Sequence, residues 1–443
     1  MKLTFRKMGI NGEGIAYINH TPVFCDGVFP GESAEVEIVE DHPKYKKAVL
    51  KKITWFSKER IRTTYPYYVE EGCPLFPMKY PAQLSHKKQL LEEAVWKYAR
   101  VKDHFVRDIH GSEITLGYRS QCKLPVQTSG GQLMTGMYVP GTNHFHPIRK
   151  SMIQDPVLER SRKYILRCLN QCDFKAYDEK KQKGLRYLVI RAIDGKVQCT
   201  LVTGKDTVSR ELIDQIMRTD GMTGLFQSVN TDRKYLSVFG SSVVRLAGED
   251  TMPVMINGIT LQLSPESFFQ LNISQARSLY EMAVSKIDPC QTLVEAYCGV
   301  GAMSLLAHDK ADKIYGIESV KKAVVNAEQN AENNHIENTE FLCMDAAKGL
   351  LKIASERKID CLVADPPRSG MDDAMIHAIL QTKPKKIIYI SCNPATLGRN
   401  LNDLKHQYHV VTIIPYDMFP HTPHVESLTV LERDNYDKED IKA

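Results

Sequence analysis

The stretch Thr292-Leu293-Val294-Glu295-Ala296-Tyr297-Cys298-Gly299-Val300-Gly301 decides the fold. It reads as a strand, Thr292 to Ala296, that runs through a glycine loop into a helix. Glycines there let the backbone approach a ligand closely and leave helix-terminal amides free. Ser304 stands at the third glycine position of the dinucleotide fingerprint, so an NAD or FAD reading is disfavoured.

Outward from this loop, strands are expected at Lys313 to Ile317, Thr339 to Cys343, Cys361 to Ala364, Lys386 to Ile390, His409 to Pro415 and Ser427 to Leu431. Helices fill most gaps, the clearest from Val320 to Asn334 with Val320, Ala323, Val324, Ala327 and Ala331 on its inner side. The alternation predicts a doubly wound α/β sheet, which binds ligands beyond the carboxyl ends of its strands. Glu318 closes the second strand, where a carboxylate suits ribose hydroxyls. Asp345 follows the third, where an acid suits an adenine amino group. Either acid alone also serves as a helix cap; three matched strand ends in order favour S-adenosylmethionine, an adenosine ligand without phosphates.

Two further strand ends stop abruptly. Val363-Ala364-Asp365-Pro366-Pro367-Arg368-Ser369-Gly370 and Ile388-Tyr389-Ile390-Ser391-Cys392-Asn393-Pro394 each run into prolines that cannot continue a strand. Asp365 and Cys392 thereby share one rim, and Cys392 reads as a nucleophile. The helix from Ala395 onward is expected to direct amides towards it and lower its thiol pKa from roughly 8.5. Cys298, Cys343 and Cys361 lie in or beside apolar strands and read as buried and inert.

The chain has 443 residues, of which 43% are hydrophobic and 25% charged, ordinary globular values that call for two or three domains. Residues 1–58 carry short strands (Lys2 to Lys7, Gly14 to Ile18, Thr21 to Cys25, Ser33 to Val39, Tyr45 to Ile53) separated by turn signals, which suggests a small β-barrel. Residues 75–255 read as a mixed α/β domain. It opens on a helix from Pro81 whose Lys87, Lys88, Glu92 and Glu93 are expected in solvent. Residues 256–443 form the doubly wound domain, and disorder is expected only in the polar tail after Asn435.

The net charge of +5 is uneven. Lys44, Lys46, Lys47, Lys51, Lys52, Lys58, Arg60 and Arg62 crowd one segment against Asp41 and Glu59, with Tyr45, Trp55 and Phe56 interleaved. Such a run suits a solvated face, but rings beside cations suit bases and phosphates together. Lys44, Lys46 and Lys47 are candidate RNA contacts, as are Arg119, Lys123, Arg186 and Arg191, for which surface salt bridges are an equal reading. Eleven cysteines without short paired spacing argue against disulfides and against a zinc site. No apolar run reaches the roughly 18 residues of a membrane span, and the start lacks a signal peptide's apolar segment, so a cytoplasmic protein is expected.

Five ordered motifs carry a family resemblance. Asp365 to Gly370, Tyr389 to Leu401, Asp417-Met418-Phe419-Pro420-His421-Thr422-Pro423-His424-Val425-Glu426, Ser267-Phe268-Phe269-Gln270-Leu271-Asn272 and the Tyr297 to Gly301 loop resemble the RNA 5-methyluridine methyltransferases. The N-terminal barrel looks like the TRAM domain found in many of them. The resemblance implies a Rossmann-like methyltransferase domain that moves a methyl group from S-adenosylmethionine to carbon 5 of uridine. In that scheme Cys392 adds to carbon 6, Glu426 is the base and Asp365 assists. Gln270, Tyr297, Gly299, Gly301, Glu318, Asp345 and Asp365 would line the cofactor site.

Uracil carbon 5 needs such activation, and a soft thiolate supplies it. The base must also be flipped out or unpaired to be reached. Ribosomal RNA of the large subunit (23S) is the first expectation for the substrate. Transfer RNA is a second, and a noncatalytic RNA-binding assembly factor a third. No metal and no obligate protein partner are expected. Many relatives hold an iron-sulfur cluster on four cysteines, three of them in a Cys-x5-Cys-x2-Cys run. Here only Cys73 of that pattern remains, with Glu70 and Thr64 or Tyr65 at the other positions and none in Pro147 to Ser151, so a cluster-free enzyme is expected.

Overall fold

All seven strands expected between Thr292 and Leu431 fall in one seven-stranded sheet of the computed structural model, which describes residues 1–66, 68–139, 142–232 and 237–434. The expected tail after Asn435 lies outside them. The sheet runs Thr339–Cys343, Ala311–Glu318, Cys290–Ala296, Cys361–Ala364, Lys386–Ser391, Glu426–Arg433, Tyr408–Tyr416. The first five strands are parallel, and Glu426–Arg433 is antiparallel to both its neighbours. Helices cover both faces, so the strands read as nearly continuous apolar runs. Two apolar cores result, one around Leu293, Ile314 and Ile390 and one around Val294, Ile317 and Tyr389. Strand order reverses between Cys290–Ala296 and Cys361–Ala364, the topological switch where such sheets bind ligands.

A hairpin precedes this sheet, Met252–Ile256 with Ile259–Leu263, turned by Asn257 and Gly258 at φ 46° and 89°. Two residues of positive φ are what a two-residue hairpin turn demands. The helix Tyr80–Ala99 buries Gln83, Lys87, Leu91 and Val95 and packs on Pro394–Leu404. The sequence reading puts this helix at the start of the central domain and Lys87 in solvent; packing joins the helix to the C-terminal domain, and Lys87 is wholly buried.

The N-terminal segment is a six-stranded sheet in the order Lys2–Thr4, Ser33–His42, Tyr45–Trp55, Thr21–Cys25, Gly14–Ile18, Lys7–Met8. Its two edge strands are consecutive in the chain. Phe5 and Arg6 donate to Glu32 O and Ile15 O between them, so the sheet closes on itself around Phe5, Val23 and Val36. Buried Glu32 accepts from Phe29 N and pairs with Arg60 at 2.7 Å, fixing the exit from the barrel. The central domain carries the other seven-stranded sheet, Val243–Gly248 to Phe145–Pro147, with helices Pro156–Gln171 and Arg210–Met217 packed into its core. Among the described residues, no helix is long and apolar enough to cross a membrane.

Candidate active site

The strand ends converge on one rim. Ser391 pairs with Ser427, so Cys392 and Glu426 lie one step beyond that rung on hydrogen-bonded antiparallel neighbours. Directly opposed residues in such a ladder stand about 4.5–5.5 Å apart at Cα. Asp365 follows Ala364, whose strand pairs with Lys386–Ser391 on the other side. Asn400 holds the Asp365 loop to the Cys392 helix: its carboxamide exchanges hydrogen bonds of 3.0 and 2.9 Å with the Met371 backbone and accepts one from the Tyr389 hydroxyl.

Cys392 is half-buried, and its thiol is pushed up to about 11 by burial, then by the nearby Glu426 and Asp365 carboxyls, against an opposing pull from Arg368. The expected lowering by the helix is overturned. Asn393 Oδ1 accepts the Ala395 amide at 3.0 Å and Pro394 has no amide, so the leading helix N–H groups are not offered to the sulfur. Burial and Asp365 also raise Glu426 well above the usual carboxyl range, and burial alone brings Asp365 to about 7. Two neighbouring desolvated carboxyls resist ionising together. Gln270 is buried within hydrogen-bonding reach of the Tyr280 hydroxyl, which also feels Asp365 and Glu426.

The glycine loop lies beside this cluster. Tyr297 and Gly299 adopt φ 65° and 54°, and Gly301 φ 82°. A β-carbon on Gly301 would stand 3.0 Å from Phe341, whereas one on Gly299 would meet nothing within 4 Å, so open space lies in front of the loop. Glu318 accepts from Gly299 N at 3.1 Å and Val320 N at 2.8 Å. Asp345 caps Ala346–Glu356 through Lys348 N at 3.2 Å. Ser304 donates its amide to Glu295 at 2.6 Å, which explains a serine where a dinucleotide site has glycine. These acids at matched strand ends around an open glycine turn fit an adenosine cofactor.

The loop Asp417 to Val425 delivers Glu426 and is anchored by residues the sequence reading missed. Lys87 pairs with Asp417 and donates to Phe419 O at 2.9 Å. Tyr80 Oη donates to Asp417 at 2.7 Å, Gln83 Oε1 accepts from His421 N at 2.9 Å, and Tyr118 Oη donates to Pro420 O at 3.1 Å. The signal was the spacing of four that puts Gln83, Lys87, Leu91 and Val95 on one helix face. His424 lies 3.2 Å from Arg368.

Three other sequence readings change. Arg191 is buried and donates to Ser264 O and Ser267 O, so it braces the segment bearing Gln270 and does not face phosphate. Buried Arg186 is committed to Asn230 and Asp232 O. Cys343 is exposed at the end of an edge strand, whereas Cys298 and Cys361 are buried as expected. Arg119 is part-buried beside Lys123, whose side chain reaches over Phe239. Lys46 and Lys47 pair with Asp41 and Glu40 across the barrel hairpin, while Lys44 has no ion-pair partner among the described residues.

Residues 247–434 match the family profile described as tRNA (Uracil-5-)-methyltransferase, and residues 1–51 match the TRAM domain. An uncharacterized RNA methyltransferase of Bacillus cereus is 33% identical over 97% of this chain and 96% of its own length. One from Caldanaerobacter subterraneus is 34% identical over 96% of both. The chain belongs to the RNA (uracil-5-)-methyltransferase family. A crystal structure of Pyrococcus abyssi tRNA (uracil-54, C5)-methyltransferase with S-adenosyl-L-homocysteine shares the fold. Its TM-score is 0.78 at 23% identity, covering 97% of this chain and all of that one. As an RNA methyltransferase of this family, the protein carries its TRAM barrel, its central domain and its Rossmann-like catalytic domain on one chain.

Proposed function

We propose that this methyltransferase converts uridine in RNA to 5-methyluridine through a transient bond between Cys392 Sγ and carbon 6 of the base. The observation that carries the reading is the adjacency of Cys392 and Glu426 on paired strands, at the rim shared by Asp365 and the Gly299 loop. S-adenosylmethionine, held by Glu318, Asp345 and the Tyr297 to Gly301 loop with Gln270 and Asp365 nearby, would supply the methyl group.

The chain's own residues do the rest. The Cys392 thiol gives up its proton to water, and the thiolate adds to carbon 6; the displaced ring electrons form an enolate, which makes carbon 5 nucleophilic. Arg368 favours the thiolate at the moment of attack. Once carbon 5 is methylated, the Glu426 carboxylate takes its proton. The carbon–sulfur bond then breaks, its electron pair returns to the thiolate, and Glu426 passes its proton to water. A desolvated carboxylate is a stronger base than a hydrated one, which suits it to a carbon acid.

Ribosomal RNA of the large subunit is the substrate we place first, on the strength of the barrel, with transfer RNA second. The enzyme should work without an iron-sulfur cluster: Cys73 is buried among Tyr68, Phe76, Tyr118 and Ile153, and its thiol is pushed up to about 12 by burial. Among the described residues, no group of three metal-ligating side chains accompanies it. Iron and sulfide analysis of anaerobically purified protein tests this.

The functional test is incubation with S-adenosylmethionine and unmodified cellular RNA, followed by nucleoside analysis. New 5-methyluridine supports the reading; RNA binding without it points to a noncatalytic factor. Cys392→Ala should abolish covalent capture of RNA containing 5-fluorouridine, and capture that persists means another thiol attacks.

A further inference from the structure

A groove of about 720 Å³ runs from Cys392 across the helix Tyr80–Ala99 to the barrel. Its floor includes Cys392, Pro394 and His424, and its barrel wall includes Ile10 and Phe24. On the helix wall, Trp96 is 51% and Tyr98 36% exposed. Both rings stand beside cations: Lys97 Nζ lies 5.0 Å from the Tyr98 centroid and Arg100 Cζ 5.5 Å from that of Trp96. Lys97, Arg100 and Arg368 form no ion pair among the described residues, in contrast to Lys7, which is paired with Glu93 at 2.9 Å.

We infer that Trp96 and Tyr98, with Lys97 and Arg100, form a stacking platform for unpaired nucleotides flanking the target uridine. Every base has a π-face and every linkage a negative charge, so aromatic rings beside unpaired cations are complementary to single-stranded RNA whatever its sequence. An apolar peptide would leave the three cations without partners. Cys392 and both rings line the same groove, so a strand lying along it presents one base to Cys392 and its neighbours to the rings. This rests on the RNA reading above and adds to it where, outside the catalytic pocket, the strand is gripped.

The test is fluorescence anisotropy of a labelled ten-nucleotide oligouridylate with the full chain. Both rings are solvent-exposed, so Trp96→Ala/Tyr98→Ala should fold, which circular dichroism checks. Base–aromatic stacking contributes roughly 1–3 kcal/mol per base, so the double variant should bind at least about tenfold more weakly. It should also raise KM for RNA while leaving kcat within about twofold. Lys97→Ala/Arg100→Ala should flatten the plot of log K against log salt by about 1.4, the value for two lost phosphate contacts on a single strand. Unchanged affinity in the folded aromatic variant overturns the platform even if the wild type makes 5-methyluridine. Weakened binding by that variant, with no methyl transfer by the wild type, upholds the platform and sinks the catalytic reading instead.

Discussion

Lys87 and Asp417 form an ion pair in which neither side chain is exposed, although 330 residues separate them. Asp417 opens the loop that ends at Glu426, so this pair pins the Glu426-bearing segment to the helix Tyr80–Ala99. Breaking a buried pair leaves an uncompensated charge and costs about 3–5 kcal/mol. Lys87→Ala should lose about that much in urea denaturation. Lys87→Met/Asp417→Leu should recover part of it, short of wild type because the Tyr80 hydroxyl and Phe419 carbonyl lose their partners. Equal stability of Lys87→Ala and wild type contradicts the anchoring role.

Burial, then the Glu426 and Asp365 carboxyls, push the Cys392 thiol up to about 11. Alkylation of Cys392, followed by mass spectrometry of its peptide, should rise about tenfold per pH unit below that value, since the thiolate is the reactive form. Glu426→Gln removes a charge that disfavours the thiolate and should move the midpoint down. Arg368→Ala removes one that favours it and should move the midpoint up. A midpoint that ignores Glu426→Gln would separate these two groups in space.

Burial lowers His421 and His424 to about 4. Below the unfolded value of about 6.5 the denatured chain takes up protons that the folded chain refuses, so folding stability falls as pH drops from about 6.5 towards 4. Above that window neither histidine contributes to the slope. His421→Gln should flatten the decline measured by denaturation at a series of pH values, and an unaltered slope argues that His421 is charged in the fold.

Gly299 and Gly301 should fail differently. A β-carbon on Gly301 meets Phe341 and Ala327 at 3.0 and 3.1 Å, so Gly301→Ala should lower thermal stability. Gly299→Ala meets no neighbour, and its left-handed backbone costs only about 1–2 kcal/mol. The methyl group would, however, project into the open space before the loop. Calorimetry with S-adenosylhomocysteine should find a folded Gly299→Ala protein with binding weakened at least about tenfold, and unimpaired binding moves the cofactor elsewhere.

Arg191→Ala should destabilise the fold without changing the salt dependence of RNA binding. Its guanidinium satisfies the buried Ser267 carbonyl and the part-buried Ser264 carbonyl, and a buried acceptor costs roughly 1–3 kcal/mol when orphaned. A reduced salt slope would return Arg191 to the list of phosphate contacts.

The doubly wound sheet is legible because most of its strands appear as short apolar runs separated by helical patterns; Thr339–Cys343 and Cys361–Ala364 match their expected bounds. Asp365 and Cys392 are legible because each follows a strand that runs into proline, whereas Glu426 comes only from the family resemblance. Lys87 is not, because a lysine on an amphipathic helix reads as solvated until its distant carboxylate is known. Arg186 and Arg191 fail likewise: a cation in a strand signals exposure, and the backbone carbonyls that absorb it belong to remote loops. The Cys392 shift is missed because a helix start promises free amides, and only the side-chain geometry reveals that Asn393 takes the first one.

The rung joining Ser391 to Ser427 has a mechanical consequence. Cys392 and Glu426 adjoin this rung within a covered sheet, so thermal breathing of the groove or the barrel does not part their backbones without straining the hydrogen bonds beside them. Strands of differing shape can therefore be admitted by movement at the periphery, while Cys392 and Glu426 keep their backbone spacing.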